Sequence, residues 1–141
     1  MGDIIRFGIS MDSNLLQQFD ALIAKHGYSN RSEAFRDLVR DRLVREEWQG
    51  DSTEKEERVG TITIIYDHHK RDLTENLTEQ QHRHHHSVIS MMHVHLDHQN
   101  CMEVLAVKGK IKEIQKIADD LISTKGVKHG KLVMTTTGKN L

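Results

Sequence analysis

His93-Val94-His95, with Cys101 six positions further on, are the residues of this chain best suited to chemistry. They lie in the stretch 82–101, which holds seven of the eleven histidines and the single cysteine. Imidazole and thiolate are the side chains that bind borderline and soft divalent metals best. Positions 88–96 are rich in β-branched and apolar residues and read as a strand. Residues two apart on a strand share a face, so His93 and His95 project together. Met92, Val94 and Leu96 then point the other way, into an expected core. Asp97-His98-Gln99-Asn100 is a turn-forming cluster, and Cys101 opens a second, hairpin-paired strand over 101–107. That arrangement sets a thiolate beside a same-face imidazole pair. Three nitrogens and a thiolate suit tetrahedral zinc, whereas planar nitrogen-rich sets suit Ni(II) or Cu(II). Residue types alone leave the metal open.

The elements that must position these side chains form a strand–helix–strand–strand–helix–strand series. The first strand is expected over 61–66 and is followed by a polar helix over 70–83 with Leu73 and Leu77 on one side. The two strands of the metal stretch come next. Ile111, Ile114, Ile117, Ala118, Leu121 and Ile122 mark an amphipathic helix, and 127–136 read as a last strand interrupted by Gly130. The order βαββαβ is the ferredoxin-like split arrangement.

A different pattern precedes it. Ile5, Phe7 and Ile9 alternate with Ile4, Arg6, Gly8 and Ser10, which predicts one short strand. A helix capped by Asp12 or Ser13 follows, with Leu15, Leu16, Phe19, Leu22 and Ile23 as its apolar stripe, and His26-Gly27 ends it. Ser29, Asn30 and Ser32 are alternative caps for a second helix. A lone strand and two helices cannot complete a core. Two copies can, by pairing their strands into a ribbon whose outer face presents Arg6, Gly8 and Ser10 to the DNA major groove. The start of the second helix, at Asn30, Arg31 and Ser32, offers backbone N–H groups to a phosphate. Residues 50–58 are polar and charged and read as a linker, so the domains are 1–49, a DNA reader, and 59–141, a metal-binding regulatory unit.

The 141 residues carry a formal net charge of −1, so global charge offers no argument for nucleic acid. One cysteine makes no internal disulfide, which fits a reducing cytoplasm. The N-terminal residues lack the apolar core of a signal peptide, and no window is long enough to span a membrane.

The first 45 or so residues resemble the ribbon-helix-helix repressors, most clearly in the turn Gly27-Tyr28-Ser29-Asn30-Arg31-Ser32-Glu33-Ala34. The whole chain resembles the NikR family of nickel-responsive regulators. The resemblance is carried by Asn30-Arg31-Ser32-Glu33, Tyr66-Asp67-His68-His69, Gln81-His82, His93-Val94-His95 and Cys101-Met102-Glu103. It implies an α+β protein, an N-terminal ribbon-helix-helix (βαα) DNA-binding domain joined to a ferredoxin-like, ACT-type regulatory domain. It also implies a homotetramer built as a dimer of dimers and a repressor that binds double-stranded operator DNA when Ni(2+) is bound, one ion per subunit. The implied ligands are His93, His95 and Cys101 of one subunit with His82 of a neighbour. Spacing alone does not separate His82 from His84, His85 and His86. Tyr66 and Gln81 match residues that brace the site. Glu33 and Asp37, and separately His68 and His69, match positions of a possible secondary cation site. Gly8 departs from the family, which commonly has a hydroxyl residue there, so the operator read here is expected to differ.

Two other functions compete. A zinc-dependent hydrolase would use three protein ligands and a water, yet there is no His-Glu-x-x-His, and Glu103 reads as structural. A ribbon-helix-helix regulator sensing an amino acid would leave Cys101 and the histidine pair without a role.

Overall fold

The computed structural model describes residues 2–49, 56–139 and 141. The chain divides into two compact units between Arg42 and Leu43. The change of sequence pattern comes later, after Gln49. The seven residues between belong with the second unit because Trp48 is buried in that unit's core and donates its indole N–H to the Thr135 carbonyl at 2.9 Å.

In the first unit, α1 (Ser13–Lys25) starts where the Asp12 carboxylate accepts the Leu15 N–H at 2.9 Å, satisfying one of the orphan donors of the first turn. Gly27, at φ 78°, takes the left-handed turn that ends it. Asn30 is the cap that wins for α2 (Arg31–Gln49): its side chain accepts the Glu33 N–H at 2.9 Å. Residues 2–12 form no strand, contrary to the alternation of Ile5, Phe7 and Ile9. A strand needs a hydrogen-bonding neighbour, and a single copy supplies none. The apolar residues of this segment are exposed accordingly, Ile5 by 82% and Phe7 by 71%. Among the described residues of this unit only Ile23 and Ala34 are buried, so its core is incomplete in one chain.

The second unit is a four-stranded antiparallel sheet in the order β2-β3-β1-β4, with β1 (Arg58–Asp67), β2 (Val88–His95), β3 (Asn100–Gly109) and β4 (Val127–Thr135). Helices α3 (Arg71–Arg83) and α4 (Ile111–Ile122) make the two crossovers. Ile62, Ile64 and Tyr66 of β1 and Leu105 and Val107 of β3 alternate onto the buried face, where α4 adds Ile111, Ile114, Ile117, Ala118 and Leu121. Each large aliphatic side chain buried here contributes about 1.5–3 kcal/mol. Gly130 does not interrupt β4. A Cβ there would lie 2.5 Å from Ile122 Cγ1, so the glycine lets α4 sit close against the strand.

One expectation about the hairpin is corrected. Met92, Val94 and Leu96 face away from the helices and enter no core of this chain: Met92 is 56% exposed and Leu96 50%. The histidines share the helix-covered side of the sheet with the buried Cys101 and Glu103, but at its β2 edge His93 and His95 are themselves exposed.

Candidate metal centre and DNA-facing residues

Register assembles the site. In β2–β3, His95 pairs with Cys101 and His93 with Glu103, and in β1–β3 Tyr66 pairs with Cys101. Side chains from three strands therefore stand in rows on one face. His95 Nδ1 lies 3.2 Å from Cys101 Sγ, and the His93 and His95 ring centres are 5.0 Å apart. Two donors on one ion, bonded at about 2.0 Å (nitrogen) and about 2.3 Å (sulfur), stand roughly 3 Å apart at a right angle, so this nitrogen–sulfur pair fits a shared metal.

Glu103 organises the imidazoles. This buried carboxylate accepts the Tyr66 hydroxyl at 2.6 Å and the Gln81 amide at 2.8 Å, and its Oε1 lies 3.2 Å from His93 Nδ1. Facing an acceptor, His93 Nδ1 carries the ring proton and Nε2 keeps the lone pair a metal needs. Glu103, which reads as merely structural from the sequence, is thus a functional residue of the candidate site. Its signal was positional: it sits two residues from Cys101 on the same face of the same strand. Burial, and then the hydrogen bond to Glu103, push the Tyr66 phenol well above its ordinary range, so Tyr66 stays a donor. Burial, reinforced by the charges of Glu103, Asp67 and Asp97, raises the Cys101 thiol, so a metal must displace its proton.

His68 belongs to this centre too. Ligand atoms of His68, His95 and Cys101 all lie within 4.8 Å of one another. His68 Nδ1 is buried and has no hydrogen-bond partner, an orphan nitrogen that a metal would satisfy. His69 leans on His68, ring centres 4.2 Å apart, and its backbone N–H is held by Asp67. His82 is elsewhere: exposed in the last turn of α3, it joins no such group among the described residues. Nor do Glu33 and Asp37 form one. Asp37 accepts the Tyr28 hydroxyl at 2.8 Å and pairs with Arg40.

Arg6, Gly8 and Ser10 are exposed in the uncovered N-terminal segment. Ser32 is exposed in the first turn of α2. Arg31 forks onto Asp20 with bonds of 2.8 and 2.9 Å, which holds the Asp20 carboxyl below its usual range.

Comparison with known proteins gives a consistent family signal. Residues 59–135 match the model of the NikR C-terminal nickel-binding domain, and residues 5–46 match that of the ribbon-helix-helix proteins of the copG family. Relatives that bear the provisional name of nickel-responsive regulator run the full length. That of Geobacter sulfurreducens is 63% identical and that of Geobacter metallireducens 60%, each covering all of this chain and 99% of the relative. A third, from Caldanaerobacter subterraneus, is 58% identical over 98% of this chain and 88% of its own. An uncharacterized protein from Thermotoga maritima shares the fold over 57% of this chain and all of its own, with a TM-score of 0.52 at 17% identity.

Proposed function

The chain belongs to the NikR family of nickel-responsive ribbon-helix-helix regulators, and from that premise we propose that it is a repressor that binds operator DNA when nickel is bound. Its targets on this reading are genes of nickel uptake, and it works in the cytoplasm as a homotetramer with one Ni(2+) per subunit. Family membership places it among transcription regulators rather than enzymes, and no helix is long and apolar enough to cross a membrane among the described residues.

The observation that carries the proposal is the incompleteness of the centre. His95 and Cys101 meet on one face with the His93 ring beside His95, outside the His68–His95–Cys101 group, while among the described residues the exposed His82 joins no group of three possible ligands. We assign His82 of a neighbouring subunit as the fourth ligand. Glu103 fixes the His93 tautomer, Gln81 ties α3 to Glu103, and Cys101 gives up its proton on binding. His93, His95, Cys101 and a neighbour's His82 would supply the nitrogen and sulfur donors that Ni(II), when bound, would accept in a planar set. Closing a site between chains favours one arrangement of the tetramer, and only such differential binding shifts a conformational equilibrium. Arg6, Gly8 and Ser10 read bases, with Asn30, Arg31 and Ser32 near the phosphates, once two copies pair their N-terminal strands. Arg31 would have to exchange Asp20 for a phosphate to take part.

His68 favours a second occupancy. With His95 and Cys101 it gives three donors inside one chain, which a water would complete to a tetrahedral zinc site that leaves His82 unused. Such a site cross-links nothing and is expected to leave DNA affinity low.

Mixed oligomers test the shared site. His82→Ala and Cys101→Ala proteins should each lose the nickel–thiolate absorption band. Subunit exchange between the two should restore it in part, because a complete site then draws His82 from one chain and Cys101 from the other. No recovery after verified exchange would put the fourth ligand within a single chain.

A further inference from the structure

The buried residues of α3 are Leu73 and Leu77, both in its first two turns. Beyond Leu77 the helix has no apolar anchor, yet His82 lies there. Polar contacts must fix this last stretch, and two come from consecutive residues. Gln81 reaches the sheet at Glu103. Gln80, turned about 100° round the helix from it, donates its amide to Thr124 Oγ1 at 2.9 Å and to Asn76 Oδ1 at 3.0 Å. Thr124 is itself fixed: its hydroxyl donates to the Asp120 carbonyl at 2.7 Å, and its own carbonyl accepts Val127 N–H at 3.0 Å. The corner from α4 to β4 is thus a rigid seat for α3. Gly126 completes it, because a Cβ there would meet Leu73 Cδ2 at 2.9 Å.

Gln80 is only half satisfied: its amide N–H groups make two hydrogen bonds, while its Oε1 is buried without a partner, which offsets part of what those bonds contribute to stability.

We propose that Gln80, through Thr124, is a positioning residue for nickel binding: it holds the end of α3 to the α4–β4 corner so that His82 is presented in the orientation the neighbouring subunit's site requires. The inference rests on the assignment of His82 as the fourth ligand. Gln81 sets the distance of the helix end from the sheet; Gln80 sets its rotation. Loss of one such hydrogen bond leaves His82 a wider range of positions in the metal-free protein, which nickel must then narrow.

The test uses the full-length protein with Gln80→Met and Thr124→Val, each close in size to the residue it replaces, and their double variant. Nickel affinity is measured by chelator competition, the nickel–thiolate band by absorption, and stability by melting the metal-free protein. Gln80→Met, which removes two hydrogen bonds but also one orphaned oxygen, should melt close to the wild-type temperature, while nickel binds roughly three- to ten-fold more weakly, the worth of one hydrogen bond. Thr124→Val should weaken nickel similarly, and the double variant should be no weaker than either single one. Wild-type nickel affinity in both single variants, or purely additive losses, would overturn the proposal, as would a fall in melting temperature with affinity unchanged. His82→Ala separates the two failures. If it loses affinity and Gln80→Met does not, positioning alone is wrong; if it binds nickel normally, the ligand assignment falls and the proposal with it.

Discussion

Glu103 accepts hydrogen bonds from Tyr66 and Gln81 and faces His93 Nδ1, so its charge and its position act on the metal face together. Glu103→Gln keeps the shape but offers an amide that can donate to Nδ1 and reverse the tautomer. Nickel affinity should fall about 10- to 100-fold, read by chelator competition. The raised Cys101 thiol predicts a sign for pH. It is protonated throughout the neutral range, so each nickel bound releases a proton, and affinity should fall up to about tenfold per unit drop in pH. Calorimetry in buffers of different ionisation heat counts that proton. Asp97 behaves oppositely. Its carboxyl accepts the Asn100 side chain and the backbone N–H groups of Asn100 and Gln99, which lower it from 3.8 to about 2. A depressed carboxyl stabilises the fold above its unfolded value and loses that contribution as pH falls toward the folded one. Asp97→Asn should therefore flatten the loss of urea stability over that interval. The histidine pair and Cys101 were legible because strand periodicity and a short turn fix their relation. His68 was legible as a histidine but not as a neighbour of Cys101. That proximity comes from the β1–β3 register, a tertiary fact that local spacing does not encode.

The crossover helices differ in what holds them. Five α4 residues are buried, and its apolar period gave it away in the sequence. In α3 two leucines are buried and its end rests on Gln80 and Gln81. Amide hydrogen exchange in the metal-free protein should be faster in α3 beyond Leu77 than in α4, and nickel should slow it there first. Equal protection of both helices without metal would remove the basis for treating α3 as the responsive element. Gly130→Ala tests the seating of α4: a methyl group pressed into Ile122 should cost about 1–3 kcal/mol in unfolding free energy. The sequence marked Gly130 as an interruption because glycine weakens a strand. The structure shows the opposite use, a strand kept continuous so that a helix can approach it.

At the scale of the molecule, two surfaces are unfinished in one chain. The N-terminal segment exposes Ile4, Ile5, Phe7 and Ile9, and the helix-free side of the sheet exposes Met92 and Val133. The pattern of alternation identified the first as a strand correctly only if a second copy supplies its partner. It misjudged Met92 and Leu96 because alternation marks a face as apolar without saying what, if anything, covers it. The proposed assembly, with paired ribbons and a metal site between subunits, would cover both surfaces. The most direct measurement is DNA binding at fixed salt, with and without stoichiometric nickel, for the natural protein and for Cys101→Ala. Nickel is expected to strengthen operator binding by the natural protein at least tenfold and to leave the Cys101→Ala protein unchanged. Equal operator affinity with and without nickel, in protein shown by its absorption band to be loaded, would contradict it.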